Sequence, residues 1–226
     1  MEKHISIAID GPAGAGKSTI ARALAKELGF YYVDTGAIYR TVAYFLDLWG
    51  VSPKDVDAVE RYIDELTIGI EYDEDGVQHM IMNGMDVSKD IRTQDISQKA
   101  SLVSAHKVVR DVLLDMQREV ARNHNVIMDG RDIGTVVLPK ADVKIFLTAS
   151  SQVRAKRRYD ELIAKGQTAV YETILKEIEQ RDYQDSHREI APLKQAKDAV
   201  LLDTSDLDIP GVIAEMKKIV GQKVSL

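Results

Sequence analysis

Two periods of hydrophobic and polar residues alternate along the chain. Ile5-Ser6-Ile7-Ala8-Ile9 is a short apolar run that ends in a glycine-rich turn. Ser18 to Leu28 follows, with Ile20, Leu24 and Leu28 four apart on one helical face, and Gly29 supplies the stop. Tyr31-Tyr32-Val33 predicts a second strand, and Ala37 to Leu48 a helix ended by Gly50. Asn125 to Met128, Val143 to Leu147 and Ala199 to Leu202 predict three further strands, with helical patterns between and after them. Apolar strands that alternate with helices argue for an α/β fold of three layers, a parallel five-stranded sheet covered on both faces.

One segment breaks this rhythm. Thr67 to Tyr72 and Val77 to Met82 alternate in polarity around the turn-rich Asp73-Glu74-Asp75-Gly76, which is a hairpin signal. A hairpin within an α/β chain predicts an inserted subdomain over about 57–88. Asp111 to Arg122 and Ser150 to Ala164 predict strongly charged helices.

Composition narrows the function classes. The 226 residues, 45% hydrophobic and 29% charged, suit one globular domain over 1–226 and exclude collagenous or disordered readings. Thirty basic against 36 acidic residues leave a net charge of −6, so a nucleic-acid partner is not expected. The absence of cysteine removes disulfides, a thiolate nucleophile and a cysteine-bound zinc. His4, His79, His106, His124 and His187 are scattered without ligand spacing. The start MEKHISIAID lacks the features of an export signal, and no stretch approaches the roughly 18 apolar residues of a spanning helix. The expectation is a soluble, cytoplasmic protein without a membrane partner.

Gly11-Pro12-Ala13-Gly14-Ala15-Gly16-Lys17-Ser18 matches G-x-x-x-x-G-K-[ST] at every fixed position, between a predicted strand and a predicted helix. In that setting the glycines let backbone N–H groups surround an anion and the helix N-terminus adds positive potential. Lys17 then reaches the β- and γ-phosphates, facing solvent until they arrive, and the Ser18 hydroxyl ligates Mg²⁺. The motif implies ATP or GTP with Mg²⁺ and leaves the acceptor open. An N-K-x-D guanine motif is missing, as is an apolar run ending in Asp-Glu, which argues against a GTP switch or a motor ATPase. A kinase should add a second pocket whose arginines neutralise donor and acceptor phosphates.

Arginines do recur at the ends of predicted elements. In Asp34 to Arg40, Thr35 is placed to cap the second helix and Arg40 lies about one turn further on. Asp129-Gly130-Arg131-Asp132 follows the third strand of the main sheet, at the edge where parallel α/β folds bind ligands. There Asp129 suits holding a water on Mg²⁺ and Arg131 suits touching phosphate; the alternative is a turn whose Asp and Gly serve geometry alone. Arg154, Arg157 and Arg158 share one helical face, which is either functional or an ordinary basic surface. Arg181, Asp185 and Arg188 also share a face if the predicted helix persists, and the bland reading is a solvated i,i+4 pair. Tyr31, Tyr32, Tyr39 and Tyr44 suit packing between layers, with Tyr39 beside Arg40 a candidate lining of an acceptor pocket, and Trp49 suits packing at a helix end.

Four segments together resemble the bacterial cytidylate kinase family of P-loop nucleoside monophosphate kinases. They are Gly11 to Thr19, Asp34 to Arg40, Asp129 to Val137 with its R-D-I-G-T-V-V run, and Arg181 to Leu193. The likeness spans the first strand to about Asp203. It implies a P-loop kinase fold, with a region over 35–100 that binds the monophosphate and includes the hairpin insertion, and a short lid over 151–168. It implies transfer of the γ-phosphoryl of ATP to CMP or dCMP, with Mg²⁺, by a monomer. By the same likeness Lys17, Arg131, Arg157 and Arg158 are catalytic, and Gly11 to Thr19 with Arg157 hold ATP. Thr35, Tyr39, Arg40, Ser101, Arg110, Arg131, Asp132, Arg181, Asp185 and Arg188 hold the acceptor. The chemistry is consistent, because cytosine presents an amino donor beside two acceptors. It calls for acceptors such as Asp132 or Ser101 and donors such as Arg110 or Arg188, while Asp185 with Arg181 suits the sugar hydroxyls.

Overall fold

The computed structural model describes residues 4–224; residues 1–3 and 225–226, the ends of the domain expected over 1–226, lie outside the described residues. Strand β1 (Ser6–Asp10) runs into the glycine-rich turn and helix α1 (Lys17–Leu28). Gly16 starts that helix in the left-handed region at φ 87°, and Gly29 ends it at φ 67° with its N–H on the Ala25 carbonyl. Strand β2 (Tyr31–Asp34) leads into α2 (Thr35–Leu48). Thr35 does not cap α2 as expected. Asp34 does, its carboxylate accepting from the Ala37 N–H at 2.9 Å, because a carboxylate satisfies the orphan helix N–H groups at least as well as a hydroxyl.

The insertion comprises α3 (Val56–Ile63), then β3 (Ile68–Tyr72), β4 (Gln78–Met82) and β5 (Met85–Asp86). The predicted hairpin is therefore a three-stranded antiparallel sheet. Its last strand, absent from the sequence reading, returns through Asn83 (φ 48°) and Gly84 (φ 82°), the paired positive φ values of a two-residue hairpin turn. The Tyr72 hydroxyl donates to the Tyr32 carbonyl at 3.0 Å, and the Asp34 N–H donates to Gln78 Oε1 at 2.7 Å. These bonds fasten the small sheet to β2.

Helices α4 (Gln94–Val103) and α5 (Lys107–Asn123) return the chain to β6 (Val126–Gly130), a π-helical turn over Ile133–Val137 and β7 (Val143–Thr148). Then come α6 (Ser151–Ala164), α7 (Tyr171–His187), β8 (Val200–Asp203) and α8 (Ile209–Lys223). The main sheet has the order β2-β6-β1-β7-β8, with every pairing parallel. Successive side chains of a strand point to opposite faces, and the core divides accordingly. Ile7, Ile9, Ile127 and Ile145 pack with Leu24 of α1 and Met216 of α8. Ala8, Met128 and Val33 pack with Ile38 of α2 and Leu113 of α5. Burial on both faces is why these strands read as continuous apolar runs.

Tyr31 departs from the expected packing between layers: it lies exposed, edge to face with Tyr72. Trp49 touches Phe45 and Tyr62 at the end of α2 while remaining largely exposed. No helix among the described residues is long and apolar enough to cross a membrane. Because the main strands are parallel, the turns after β1, β2, β6 and β7 all leave from one edge of the sheet, and the candidate site lies there.

Candidate active site

The loop after β1 passes so close to β7 that a Cβ on Gly11 would stand 1.9 Å from the Leu147 carbonyl oxygen, at a φ of 151° that other residues rarely adopt. Only glycine fits at that point. Lys17 does not face solvent as expected. It is buried, with Nζ donating to the Pro12 carbonyl at 2.7 Å. Burial, and next the charge of Arg131, pushes its ammonium pKa well down, against the opposing pull of Asp129 and Asp10.

Asp129, at the end of β6, is reached from two elements. Ser18 Oγ donates to its Oδ2 at 3.0 Å and the Tyr32 hydroxyl to its Oδ1 at 2.7 Å. Burial, reinforced by Asp34, pushes the Asp129 carboxyl pKa up. Thr35 Oγ1 donates to the Asp129 carbonyl at 2.7 Å, so α2 and β6 are joined at the sheet edge. Gly130 permits this approach, since a Cβ there would lie 2.7 Å from Thr35 Oγ1.

The arginines gather beyond Asp129. Arg131 Nε donates to Asp185 Oδ2 at 2.8 Å, and Arg40 Nη2 donates to Asp34 Oδ2 at 2.9 Å. Asp185 is thus not half of a solvated pair with Arg181. It is buried, and its partner is Arg131, because α7 turns that face inward against the loop after β6. Burial pulls the Asp185 carboxyl upward, and Arg131, joined by Arg181 and Arg188, more than reverses this, leaving a lowered pKa. The Nε atoms of Arg181 and Arg40 are buried without a hydrogen-bond partner among the described residues. Burial, with Arg131 as the next cause, brings Arg181 down to about 10.

Asp132 sits between two guanidinium groups, accepting from Arg110 Nη2 and from Arg188 Nη2, the latter at 3.5 Å. The Arg110 guanidinium lies 5.8 Å from the Tyr39 ring centroid. Arg188 does not continue the helical face of Arg181 and Asp185. Helix α7 stops at His187, and Arg188 is extended at φ −63°, ψ 143°, which lets Nε reach the Ala191 carbonyl at 2.7 Å.

On α6 the three arginines diverge. Arg154 is buried and held by the carbonyls of Ala149 and Ala13 and by the Asp182 carboxylate. It is not basic surface, and it lines the same cavity as Arg157 and Arg158. Arg157 Nη2 donates to the Thr204 carbonyl at 2.6 Å, and Arg158 Nη1 to Glu161 Oε2 at 2.9 Å.

One cavity of about 920 Å³ joins these groups. Ala13 to Thr19 line one end, Arg157 and Arg158 flank it, and Asp129 and Arg131 stand between the ends. Thr35, Tyr39, Arg40, Ser101, Arg110, Asp132, Arg181, Asp185 and Arg188 line the remainder. Of the catalytic, ATP-holding, acceptor-holding and metal-binding residues expected from the sequence, only Gly11 and Pro12 are outside this lining. None of the five histidines lines it.

Sequence reasoning missed three polar residues that shape the site. Asp10, the last residue of β1, accepts from the Ile133 and Gly134 N–H groups, each at 2.7 Å, and burial pushes its carboxyl up to about 6. Tyr32 holds Asp129, and Ser104 holds two arginines through its carbonyl and hydroxyl. An Asp directly before the glycine loop is a readable signal for the first. Nothing local marks the other two, whose partners lie far along the chain.

A phosphate loop at one end of a single cavity and an arginine cluster at the other, both on the edge of a parallel sheet, give this molecule the architecture of a P-loop kinase. The family model described as Cytidylate kinase matches residues 7–222. The cytidylate kinase of Leuconostoc mesenteroides is 48% identical over 98% of this chain and 99% of its own length, and that of an Exiguobacterium species is 46% identical over the same shares. The chain belongs to the cytidylate kinase family. Among solved structures, an uncharacterized protein from Eubacterium ventriosum superposes with a TM-score of 0.50 at 14% identity, over 95% of this chain and 97% of that one, a likeness of fold alone.

Proposed function

We propose that the protein transfers the γ-phosphoryl group of ATP to CMP or dCMP, giving the nucleoside diphosphate and ADP. The observation that carries this reading is the continuity of the cavity from the glycine loop to the Asp132 cluster, with Arg131 between them. Ser18 and Lys17 at the head of α1 take the donor phosphates. Arg131, Arg181 and Arg40 draw in the acceptor phosphate, and the buried, unpartnered Nε atoms of the last two leave donors for it. A phosphate oxygen of the monophosphate attacks the γ-phosphorus, the bond to the β,γ-bridging oxygen breaks, and that oxygen leaves with ADP carrying the electron pair. The acceptor is ionised near neutral pH, so the protein's task is alignment and charge neutralisation. Lys17, Arg131, Arg157 and Arg158 supply the positive charge.

The Ser18 hydroxyl and the Asp129 carboxylate are adjacent hard oxygen donors, which suits Mg²⁺, with Asp129 acting through a bound water. When bound with the triphosphate, the ion neutralises charge on the β- and γ-oxygens. Asp132, Ser101, Arg110 and Arg188 read the cytosine edge, Tyr39 lines its pocket, and Asp185 with Arg181 faces the sugar. The region 151–168 closes as a lid and excludes water, which would otherwise compete as acceptor. The region 35–100, with its inserted sheet, encloses the monophosphate. We place the enzyme in the cytoplasm as a monomer, testable by its mass in gel filtration.

The decisive experiment is ADP release over a panel of acceptors. Strong stimulation by CMP and dCMP is expected. Equal stimulation by AMP or UMP would reject the base assignment, and ATP binding without acceptor-dependent turnover would reject the kinase reading.

A further inference from the structure

The groups assigned to the cytosine edge are held by the C-terminal end of α4. Ser104 caps that helix and is buried. Its carbonyl accepts from Arg110 Nη1 at 3.2 Å, and its hydroxyl oxygen accepts from Arg188 Nη1 at 3.1 Å. The same hydroxyl donates its proton to the Ser101 carbonyl at 2.8 Å, so it turns a lone pair, not a hydrogen, toward Arg188. The last carbonyls of a helix have no partners within it and carry the negative end of its dipole, which favours cations there. Arg188 is only loosely tied to Asp132, at 3.5 Å, whereas its bonds to Ser104 and Ala191 are shorter.

We infer that Ser104 is a positioning residue for base selection, fixing Arg110 and Arg188 on either side of Asp132 so that the three present one rigid pattern of donors and acceptor to a cytosine edge. This rests on the proposed cytidylate reading. Ser104 itself is assigned no contact with the substrate. Uracil reverses cytosine at two positions, with a carbonyl for the amino group and an N–H for the ring acceptor. A rigid pattern therefore rejects it, whereas a guanidinium free to swing adapts to both. Removing the hydroxyl leaves a buried N–H of Arg188 without its acceptor and releases that side chain.

The test compares wild type, Ser104→Ala and Ser104→Thr by kcat/KM for CMP and for UMP, with the ATP KM and the thermal unfolding midpoint as controls. Ser104→Ala is expected to lower the CMP-to-UMP ratio about three- to tenfold, mainly through a higher KM for CMP, with the ATP KM unchanged. Ser104→Thr, which keeps the hydroxyl, is expected to hold the ratio. An unchanged ratio in Ser104→Ala would overturn the inference, as would equal loss toward both acceptors with a lower unfolding midpoint, the mark of a purely structural role. Equal loss of the ratio in both variants would overturn the assignment to the hydroxyl. A wild type that does not discriminate CMP from UMP would sink the underlying functional reading, and this inference with it.

Discussion

Arg131 and Asp185, 54 positions apart in the chain, meet Nε to Oδ2 at 2.8 Å between the loop after β6 and the inner face of α7. The pair holds Arg131 in the cavity, while Arg181 Nε, buried nearby, has no hydrogen-bond partner among the described residues. Asp185→Ala removes the acceptor from a half-buried guanidinium and adds unbalanced charge beside Arg181. The expected result is a rise in the CMP KM of about thirtyfold, with the ATP KM within about threefold of wild type. Steady-state kinetics with each substrate varied in turn checks this, and equal losses for both would remove Asp185 from the acceptor site.

Lys17→Met should separate activity from folding. The ammonium is buried in the loop, where burial and the charge of Arg131 outweigh the attraction of Asp129 and Asp10, so its charge is a net cost to the fold. We expect kcat to fall by about 10²–10³-fold, with an unfolding midpoint no lower than wild type. A large drop in that midpoint would show that Lys17 is needed to hold the loop.

Protons should accompany nucleotide binding. Burial and Arg131 depress the Lys17 pKa in the free enzyme, so part of the population is neutral at mildly alkaline pH. A triphosphate beside it favours the ammonium and raises that pKa again, and the sign is therefore net proton uptake. Titration calorimetry of a non-hydrolysable ATP analogue at pH 8, in buffers of different ionisation enthalpy, should register this uptake. Lys17→Met should abolish it, and uptake that persists in the variant would assign it to another group.

Asp132→Ala should relax the choice of base. Its carboxylate is buried between Arg110 and Arg188, so the variant loses an acceptor and leaves two guanidinium groups close together. The expected outcome is a fall in the CMP-to-UMP ratio of about tenfold or more together with a lower unfolding midpoint. An unchanged ranking of acceptors would contradict the role.

Gly11→Ala tests the loop as a structural object. The added methyl would meet the Leu147 carbonyl at 1.9 Å in the strand next to β1. A shift of β7 or of the loop is unavoidable, and we expect a loss of about 3 kcal/mol or more in denaturant unfolding.

The sequence by itself determined the alternation of strands and helices, the phosphate loop and the parallel sheet, because each is written in local periodicity or in a contiguous motif. The run from Ile5 to Ile9 reads as a doubly buried strand, and the lysine and serine at the head of α1 declare their chemistry where they stand. The third strand of the insertion was not read from the sequence, since two residues carry no period of their own. Tertiary structure alone decided the partners. The spacing of Arg181, Asp185 and Arg188 suggested one shared face, but the fold paired Asp185 with Arg131, left Arg181 Nε bare and took Arg188 out of the helix. It also buried Lys17 and Arg154, and recruited Tyr32 and Ser104 from unremarkable positions. The physical reason is range. Helix and strand patterns arise from neighbours a few residues apart, whereas a buried charge takes whatever partner packing brings near it, at any distance along the chain.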